Sequence, residues 1–367
     1  MTTRATGLDD HLGRGTGRIN APVLGAPGCG NSLDIDAKIL TPKGWRRNGD
    51  LAVGDLVIGS DGKPSEVMGI YDQGLRHAYR LTTNDGANVV CDAEHLWAVE
   101  TRKQRLRRLR GLGGRGLQVV TTGDLIDRRV RDSRTQTKGG YHFYLPLAEA
   151  AQLEEVSLPI DPYLMGVLLA NGSLSSDVVN FSTNDSRIAE RVIERNPGLS
   201  FAEHTYATST VRRWVIHKFH SMLQPLGLDQ TLSRHKFIPD LYLDADEMSR
   251  RDLLAGLMDC DGSVTAGKRA GYYSVSKQLA EGVQELVWSL GGIARLDTDN
   301  RGEYTVWFWL ADSPFWLARK ALNYQPRPWF RAVESIEPAE EREMRCIRVA
   351  SSEQLYVTEG HILAHSG

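Results

Sequence analysis

A thiol, an imidazole and an indole stand in this sequence at places where they can be assembled. Cys346 opens a run of alternating β-type residues in MRCIRVASSEQLYVTEGHILAHSG, and His365 follows close to the last residue given. In CDAEHLWAV, His95 and Trp97 are two apart, so on a strand both side chains point to the same face. A lone cysteine reads as an ordinary buried thiol; this one has an imidazole and an indole to work with, and the set points to covalent chemistry at sulfur. A second set concerns oxygen donors. Asn171 and Asp261 occupy one position in two copies of an internal repeat, the first a neutral amide and the second a carboxylate able to hold a hard divalent cation.

Different elements must position the two sets. SLDIDAKILTPKGWRRNGDLAVGDLVIGSDGKP alternates short β runs with Pro-Lys-Gly, Val-Gly-Asp and Asp-Gly turns, and from Ser32 to Val99 the chain reads as all-β with no helix needed. TRKQRLRRLRGLGGRGLQ follows. Its Arg102, Lys103, Arg105, Arg107, Arg108, Arg110 and Arg115 have no acid between them, so the stretch is expected to be a basic loop facing nucleic acid rather than a merely solvated charge run. TTGDLIDRRVRD predicts a short helix, and YHFYLPLAEAAQLEEVSLPIDP a strand and a linker into a second domain.

That second domain is an internal repeat. LMGVLLANGSLSSDVVNFSTNDSRIAERVIERNPGL recurs about ninety residues on as LAGLMDCDGSVTAGKRAGYYSVSKQLAEGVQELVWSLGGIARL, each copy an apolar helix, a Gly-Ser turn, strands and an amphipathic helix. Gly166 and Gly256 fall at one position of the two leading helices, where small residues let helices pack closely across a pseudo-twofold axis. Asn171 and Asp261 would then meet at the bottom of that interface. SPFWLARKALNYQPRPWF predicts a further helix with a Pro-bounded return, Trp316 and Trp329 packing, and VESIEPAEEREMRCIRV resumes the β domain.

LDIDAKILTPKGW, CDAEHLW, MRCIRV and LYVTEGHIL resemble the splicing blocks of an intein, and Trp97 beside His95 with Cys346 is similar to the class 3 inteins, which attack the upstream junction from an internal cysteine. Leu254 to Gly262 with the flanking HKFIPDLYL resembles the LAGLIDADG homing endonucleases. The resemblance implies a multidomain α+β chain, an all-β Hint (horseshoe) splicing domain split by an α/β domain with a pseudo-twofold αββαββα repeat. The expected boundaries are a host fragment over 1–31, the splicing domain over 32–155 with a basic DNA-contact loop at 101–140, the endonuclease over 156–324, the rest of the splicing domain over 325–366, and one downstream residue at 367. It implies that Cys346 attacks near Asn31-Ser32 to form a branched thioester, that His95 protonates the departing nitrogen, that Trp97 holds a water-poor pocket, and that His365 helps an asparagine close to a succinimide.

Two departures from the class bear on the downstream end. Where Thr, His and Asn are expected, this chain has Ala364, His365 and Ser366. Serine forms no imide, so if Ser366 holds the asparagine position an unspliced precursor is expected; alternatively Ser366 is the first downstream residue and the intein ends at His365. Ser32 leaves a further alternative, an N-to-O acyl shift from the opening serine. For the endonuclease, the resemblance implies Mg²⁺ or Mn²⁺ at Asp261 and Asn171, Lys236 organising catalytic water, and strand saddles including Tyr272 to Ser276 and Tyr304 to Trp309 across a DNA major groove. Splicing itself needs no cofactor. With Asn171 in place of an aspartate, binding with weak cleavage or nicking is expected.

Composition bounds these readings. At 367 residues, 41% hydrophobic and 25% charged, the chain has material for two ordinary globular domains, and disorder or a fibre is excluded. No apolar run approaches the ~18 residues of a membrane span, and the N-terminus has no signal-peptide core, so a cytoplasmic monomer with no membrane partner is expected. Cys29, Cys91, Cys260 and Cys346 have neither CxxC spacing nor a disulfide framework. APVLGAPGCGNS resembles a P-loop in which Asn31 replaces the lysine, which suggests an interrupted host ATPase supplying the exteins in cis; a flexible leader is the plainer alternative. A P-loop ATPase as the chain's own activity fails, since no ATPase core follows. The competing function is a DNA-binding protein of endonuclease ancestry whose β domain is only a scaffold, a reading that leaves Cys346, His95 and Trp97 without a use as a set.

Overall fold

The computed structural model describes residues 31–112, 116–128, 130, 140–207, 209–327 and 329–367. The glycine-rich turn ending at Gly30, and Arg115 of the basic run, lie outside them. The chain divides into two compact units, residues 1–153 with 327–367, and residues 154–326. No helix among the described residues is long and apolar enough to cross a membrane.

The first unit is built of β ladders. Leu33–Asp34 lies between Asn88–Asp92 and Arg331–Val349, and the long Pro64–Thr83 strand pairs with both of those neighbours, so the ladder returns on itself and leaves few open edges. A separate four-stranded sheet runs Ile362–His365, Leu355–Thr358, Lys38–Thr41, Gly44–Arg47. Where the chain re-enters this unit, Arg331 is locked in place. Its guanidinium donates to Asp85 Oδ2 at 3.1 and 2.7 Å and to the His361 carbonyl at 2.6 Å, with both ionic partners almost fully buried. A buried pair of this kind is held by its hydrogen bonds as much as by charge.

The basic stretch differs from expectation. Thr101 and Gln104 form a reciprocal capping box, and Arg102–Leu109 is a helix rather than a loop. Arg105 is buried, its guanidinium 4.9 and 4.5 Å from the ring centres of Tyr144 and Phe330. Arg108 makes two hydrogen bonds to Glu100, at 2.9 and 3.0 Å. The acid that pairs the run stands just before it, at the end of the preceding strand. Only Arg102, Lys103, Arg107 and Arg110 of the described basic residues are exposed there.

In the second unit each copy of the repeat carries its own four-stranded antiparallel sheet, one of them pairing Ala270–Ser274 with Tyr304–Trp309. Helices Pro162–Asn171 and Glu247–Asp261 start on the side-chain caps Asp161 and Asp246, and both end on a glycine with φ −82° and ψ 149°. At Gly172 and Gly262 a Cβ would sit 2.4 and 2.5 Å from the carbonyl oxygens of Leu168 and Met258, so no larger residue fits that exit. The helices cross at Gly166 and Gly256, where a Cβ would come within 2.3 Å of the Leu253 and Tyr163 carbonyl oxygens respectively. Among its described residues SPFWLARKALNYQPRPWF forms a single turn of helix, Ala318–Ala321.

The helix crossing makes a direct prediction. Gly166→Ala should destabilise the second unit by about 1–3 kcal/mol, because the colliding atoms are backbone and only a shift of the helices relieves them. Urea unfolding followed by circular dichroism reads the loss. A midpoint equal to the parent's would show that the helices are not in contact there.

Candidate functional site

The first site forms around the peptide bond between Asn31 and Ser32. The Asn31 side chain is gripped from two directions: its amide donates to the His365 carbonyl at 2.9 Å, and its carbonyl accepts from the Leu96 N–H at 2.8 Å. Ser32, 1% exposed, donates its hydroxyl to Asp92 Oδ2 at 2.5 Å and accepts the Asp92 N–H on its carbonyl at 3.2 Å. The residues on either side of this bond are thus fixed before any reaction begins.

His95 lies in the turn just before strand Leu96–Thr101, and its ring meets that of Trp97 edge-on at 4.6 Å between centres. Both side chains are wholly buried. The His95 carbonyl accepts from the Thr122 N–H at 2.9 Å, and Trp97 Nε1 donates to Thr122 Oγ1 at 2.9 Å, so Thr122 holds both residues. Neither ring nitrogen of His95 has a hydrogen-bond partner among the described residues. Burial, and then the neighbouring His365, lower its pKa to about 3, so the imidazole is neutral at physiological pH. His365 is likewise lowered to about 4 by burial, with the Ser366 backbone opposing. Its strand packs against the strand that carries Trp97.

Cys346 is buried in strand Arg331–Val349, opposite Tyr71. On its other side that strand pairs with Leu33–Asp34 in the register Leu33↔Arg345, which, carried one residue further, sets Ser32 opposite Cys346. Ser366 is fully buried, with its N–H donating to the Gln354 carbonyl at 2.7 Å and its hydroxyl accepting from Val349 N–H at 3.4 Å. The strand that carries Cys346 therefore borders both ends of the proposed splicing element.

The second site lies at the ends of the paired helices. Asn171 and Asp261 are each the last helical residue, but they line different pockets. Asp261 shares its pocket with Lys236, Tyr272 and Glu303, whereas Asn171 shares its own with Lys320 and the Arg319–Asp185 ion pair. Lys236 is no surface residue. Only 2% exposed, it donates to the carbonyls of Leu168, Leu169 and Gly172 at 2.9, 3.0 and 2.7 Å, and burial lowers its pKa to about 8. Lys320 does the same for the second helix, reaching the carbonyls of Met258, Asp259 and Gly262 at 2.9, 2.8 and 2.7 Å. Both lysines thus satisfy carbonyls that helix ends leave unpaired.

A divalent cation fits this donor set only in part. Among the described residues no group of three or more His, Cys, Asp or Glu converges on one point. Mg²⁺, however, is commonly held by one or two carboxylates and completed by water and substrate phosphates. Asp261 supplies such a carboxylate, its pKa raised by burial and pulled back by Lys236 and Lys320. Asn171 offers a neutral amide oxygen alone.

Asp92, Thr122 and Lys320 were not singled out by sequence reasoning, though Asp92 and Lys320 left a signal. Asp92 is a carboxylate at the end of strand Asn88–Asp92, directly after the apolar run Val89–Cys91, and strands are depleted in aspartate. Lys320 follows its copy of the repeat as Lys236 follows the first, but at a different offset from the glycine, 58 residues against 64.

Residues 248–327 match the LAGLIDADG-like domain family. A replicative DNA helicase DnaB of Mycobacterium intracellulare is 30% identical over 91% of this chain, which spans 58% of that relative's length. The crystal structure of the MchDnaB-1 intein aligns over 91% of this chain and 99% of its own, at 12% identity and a TM-score of 0.31. That of I-DmoI in complex with DNA and Mn aligns over 46% and 98%, at 13% identity and a TM-score of 0.31.

Proposed function

We propose that this chain is an intein carrying a LAGLIDADG domain, whose first unit excises itself by protein splicing and whose second binds double-stranded DNA at the uninterrupted host-gene site. The observation that carries the splicing reading is the grip on Asn31–Ser32, a peptide bond pinned by side-chain and main-chain hydrogen bonds beside His95, Trp97 and His365. A scaffold has no need of such a fixture. The host is a DnaB-type helicase by the relative's name, and its flanking segments are the exteins.

In this mechanism Cys346 Sγ adds to the Asn31 carbonyl carbon and the bond to the Ser32 nitrogen breaks, giving a thioester and a free amine. His95 carries the thiol proton to that nitrogen, so no external acid is required; the burial that disfavours its charged form makes the protonated ring a ready donor to the leaving nitrogen. Trp97, fixed by Thr122, closes the pocket against water. The acyl group then passes to a nucleophile beyond the intein. At the downstream end His365 would assist an asparagine, and with Ser366 there instead the imide step has no amide to close.

In the second unit Asp261 would hold Mg²⁺ or Mn²⁺. That ion supplies charge neutralisation and an activated water for phosphodiester hydrolysis. Lys236 fixes the helix end beside Asp261 and adds positive charge to the pocket. The exposed Arg102, Lys103, Arg107 and Arg110 add phosphate contacts, so DNA affinity falls as salt rises.

The test is the intact mass of the chain expressed with longer native flanks, before and after thiol treatment. Joined flanks, or an upstream fragment ending at residue 31, support splicing chemistry; a chain that stays whole under all conditions would favour the scaffold.

A further inference from the structure

The strand that presents the upstream junction has little ladder of its own beside the thiol. Leu33–Asp34 pairs with the Cys346 strand over two residues, and that strand's pairing with Pro64–Thr83 shifts register between Met344 and Arg345, directly before the cysteine. Each ladder bond contributes little net, and a slip of one residue turns every side chain of a strand to its other face. One buried side chain spans both weak places. Asn48, 1% exposed, donates its amide to the Asp34 carbonyl and to the Arg345 carbonyl, each at 3.2 Å. The first carbonyl lies two residues after Ser32, and the second directly precedes Cys346. Arg345 returns the grip: its Nη1 donates to the Gly49 carbonyl at 2.7 Å and to that of Asn48 at 3.4 Å, while Nε donates to Asp72 Oδ1 at 2.6 Å. The backbone N–H groups of Asn48 and Gly49 donate in turn to the Ala37 and Ile35 carbonyls, both at 2.8 Å. Asn48 Oδ1 is buried and accepts no hydrogen bond among the described residues. An orphaned amide oxygen costs stability, so the side chain serves this position through its two N–H donors.

We propose that Asn48 is a positioning residue for the attack of Cys346 on the Asn31 carbonyl: its amide bridge fixes the strand that bears the thiol in register with the peptide bond to be cleaved. Reacting atoms must come within about 3–3.5 Å of each other, and a misplacement of about 1 Å costs on the order of a hundredfold in rate. Asn48 acts through the two strands, taking no proton and forming no bond in the reaction. The inference rests on the splicing reading with Cys346 as the nucleophile.

Asn48→Asp in the full chain keeps the size of the side chain and removes both donors. At neutral pH the introduced carboxylate faces two carbonyl oxygens, so release of residues 1–31 by dithiothreitol should slow by about 10²-fold relative to the parent. Burial raises the pKa of such a carboxyl, and below that pKa its O–H donates to one of the two carbonyls again. The ratio of variant to parent rate at matched pH should therefore climb as pH falls. Asn48→Ala has no proton to regain, and its ratio should be low and flat across the same range. Urea unfolding at each pH fixes the conditions in which every chain is folded, and rates are compared there, so a loss of stability alone leaves the ratios at one. Should Asn48→Asp fail to fold, the rate of folded Asn48→Ala decides. The proposal is overturned if the folded variants release residues 1–31 as fast as the parent, or if the Asn48→Asp ratio is as flat in pH as that of Asn48→Ala; both results leave attack by Cys346 standing. A parent that releases nothing removes that attack and this proposal together.

Discussion

Dithiothreitol should release residues 1–31 from the intact chain at neutral pH, and Cys346→Ala should abolish that release. The thioester that dithiothreitol intercepts exists only if a sulfur has taken the acyl group. Strands on both sides of Leu33–Asp34 carry a thiol, but burial pushes the Cys91 thiol up to about 12 and it contacts Thr122, whereas Cys346 has Ser32 opposite it when the register is carried one residue on. His95→Ala should slow the release by about 10²–10⁴-fold, since the proton must then leave the thiol and reach the nitrogen without a positioned carrier. The downstream end extends the test. Ala364→Thr with Ser366→Asn, and a Thr or Ser placed next, restores the residues the class carries and should permit splicing, with Cys346→Ala in that background blocking it. Val349 in the Cys346 strand donates to the Ser366 hydroxyl, so the strand that would carry the branched acyl group also touches the place where it must be handed on. Efficient splicing by the Cys346→Ala variant, with Ser32→Ala inactive instead, would reverse the assignment.

What the sequence made legible was whatever depends on local pattern. The Gly166 and Gly256 positions, read as close helix contacts, are places where a Cβ would strike backbone. The repeat was legible because both copies must make the same exit from their helices, and glycine alone fits it. What stayed hidden depends on partners distant in the chain. The basic run looked unpaired because its acid, Glu100, precedes it and because the aromatic rings that take Arg105 are Tyr144 and Phe330, the latter arriving only after the second unit. The helix itself was readable: Thr101 and Gln104 are a capping box, outweighed in the reading by the glycines that follow. Lys236 was placed near the chemistry, but three carbonyls of one helix end as its partners could not be inferred from HKFIPDLYL, and Asp92 acquires its meaning only when Ser32 is laid against it.

The parent should nick a supercoiled plasmid carrying the uninterrupted host gene, in Mg²⁺ or Mn²⁺, and Asn171→Asp should convert nicking into double-strand cleavage. The two helix ends are built alike, each with a glycine exit and a lysine holding its carbonyls, and they differ at the last helical residue, the one proposed to meet the metal. An aspartate brings a full negative charge to the cation, whereas the asparagine oxygen brings only a dipole. A metal's stabilisation of transition-state charge is worth several kcal/mol, and each 1.36 kcal/mol is tenfold in rate, so losing the ion at one centre slows that strand's cleavage by on the order of a hundredfold or more. The Asn171 pocket already holds Lys320 and the Arg319–Asp185 pair, so an added carboxylate would enter surroundings with cationic partners in place. Asp261→Asn should remove the parent's nicking by the same factor while leaving DNA binding intact, because the DNA contacts proposed above lie on the strand saddles and the exposed basic residues rather than at the helix ends. Gel separation of supercoiled, nicked and linear plasmid reads all three outcomes. Linear product from the parent that persists in Asp261→Asn would place the chemistry elsewhere in the unit.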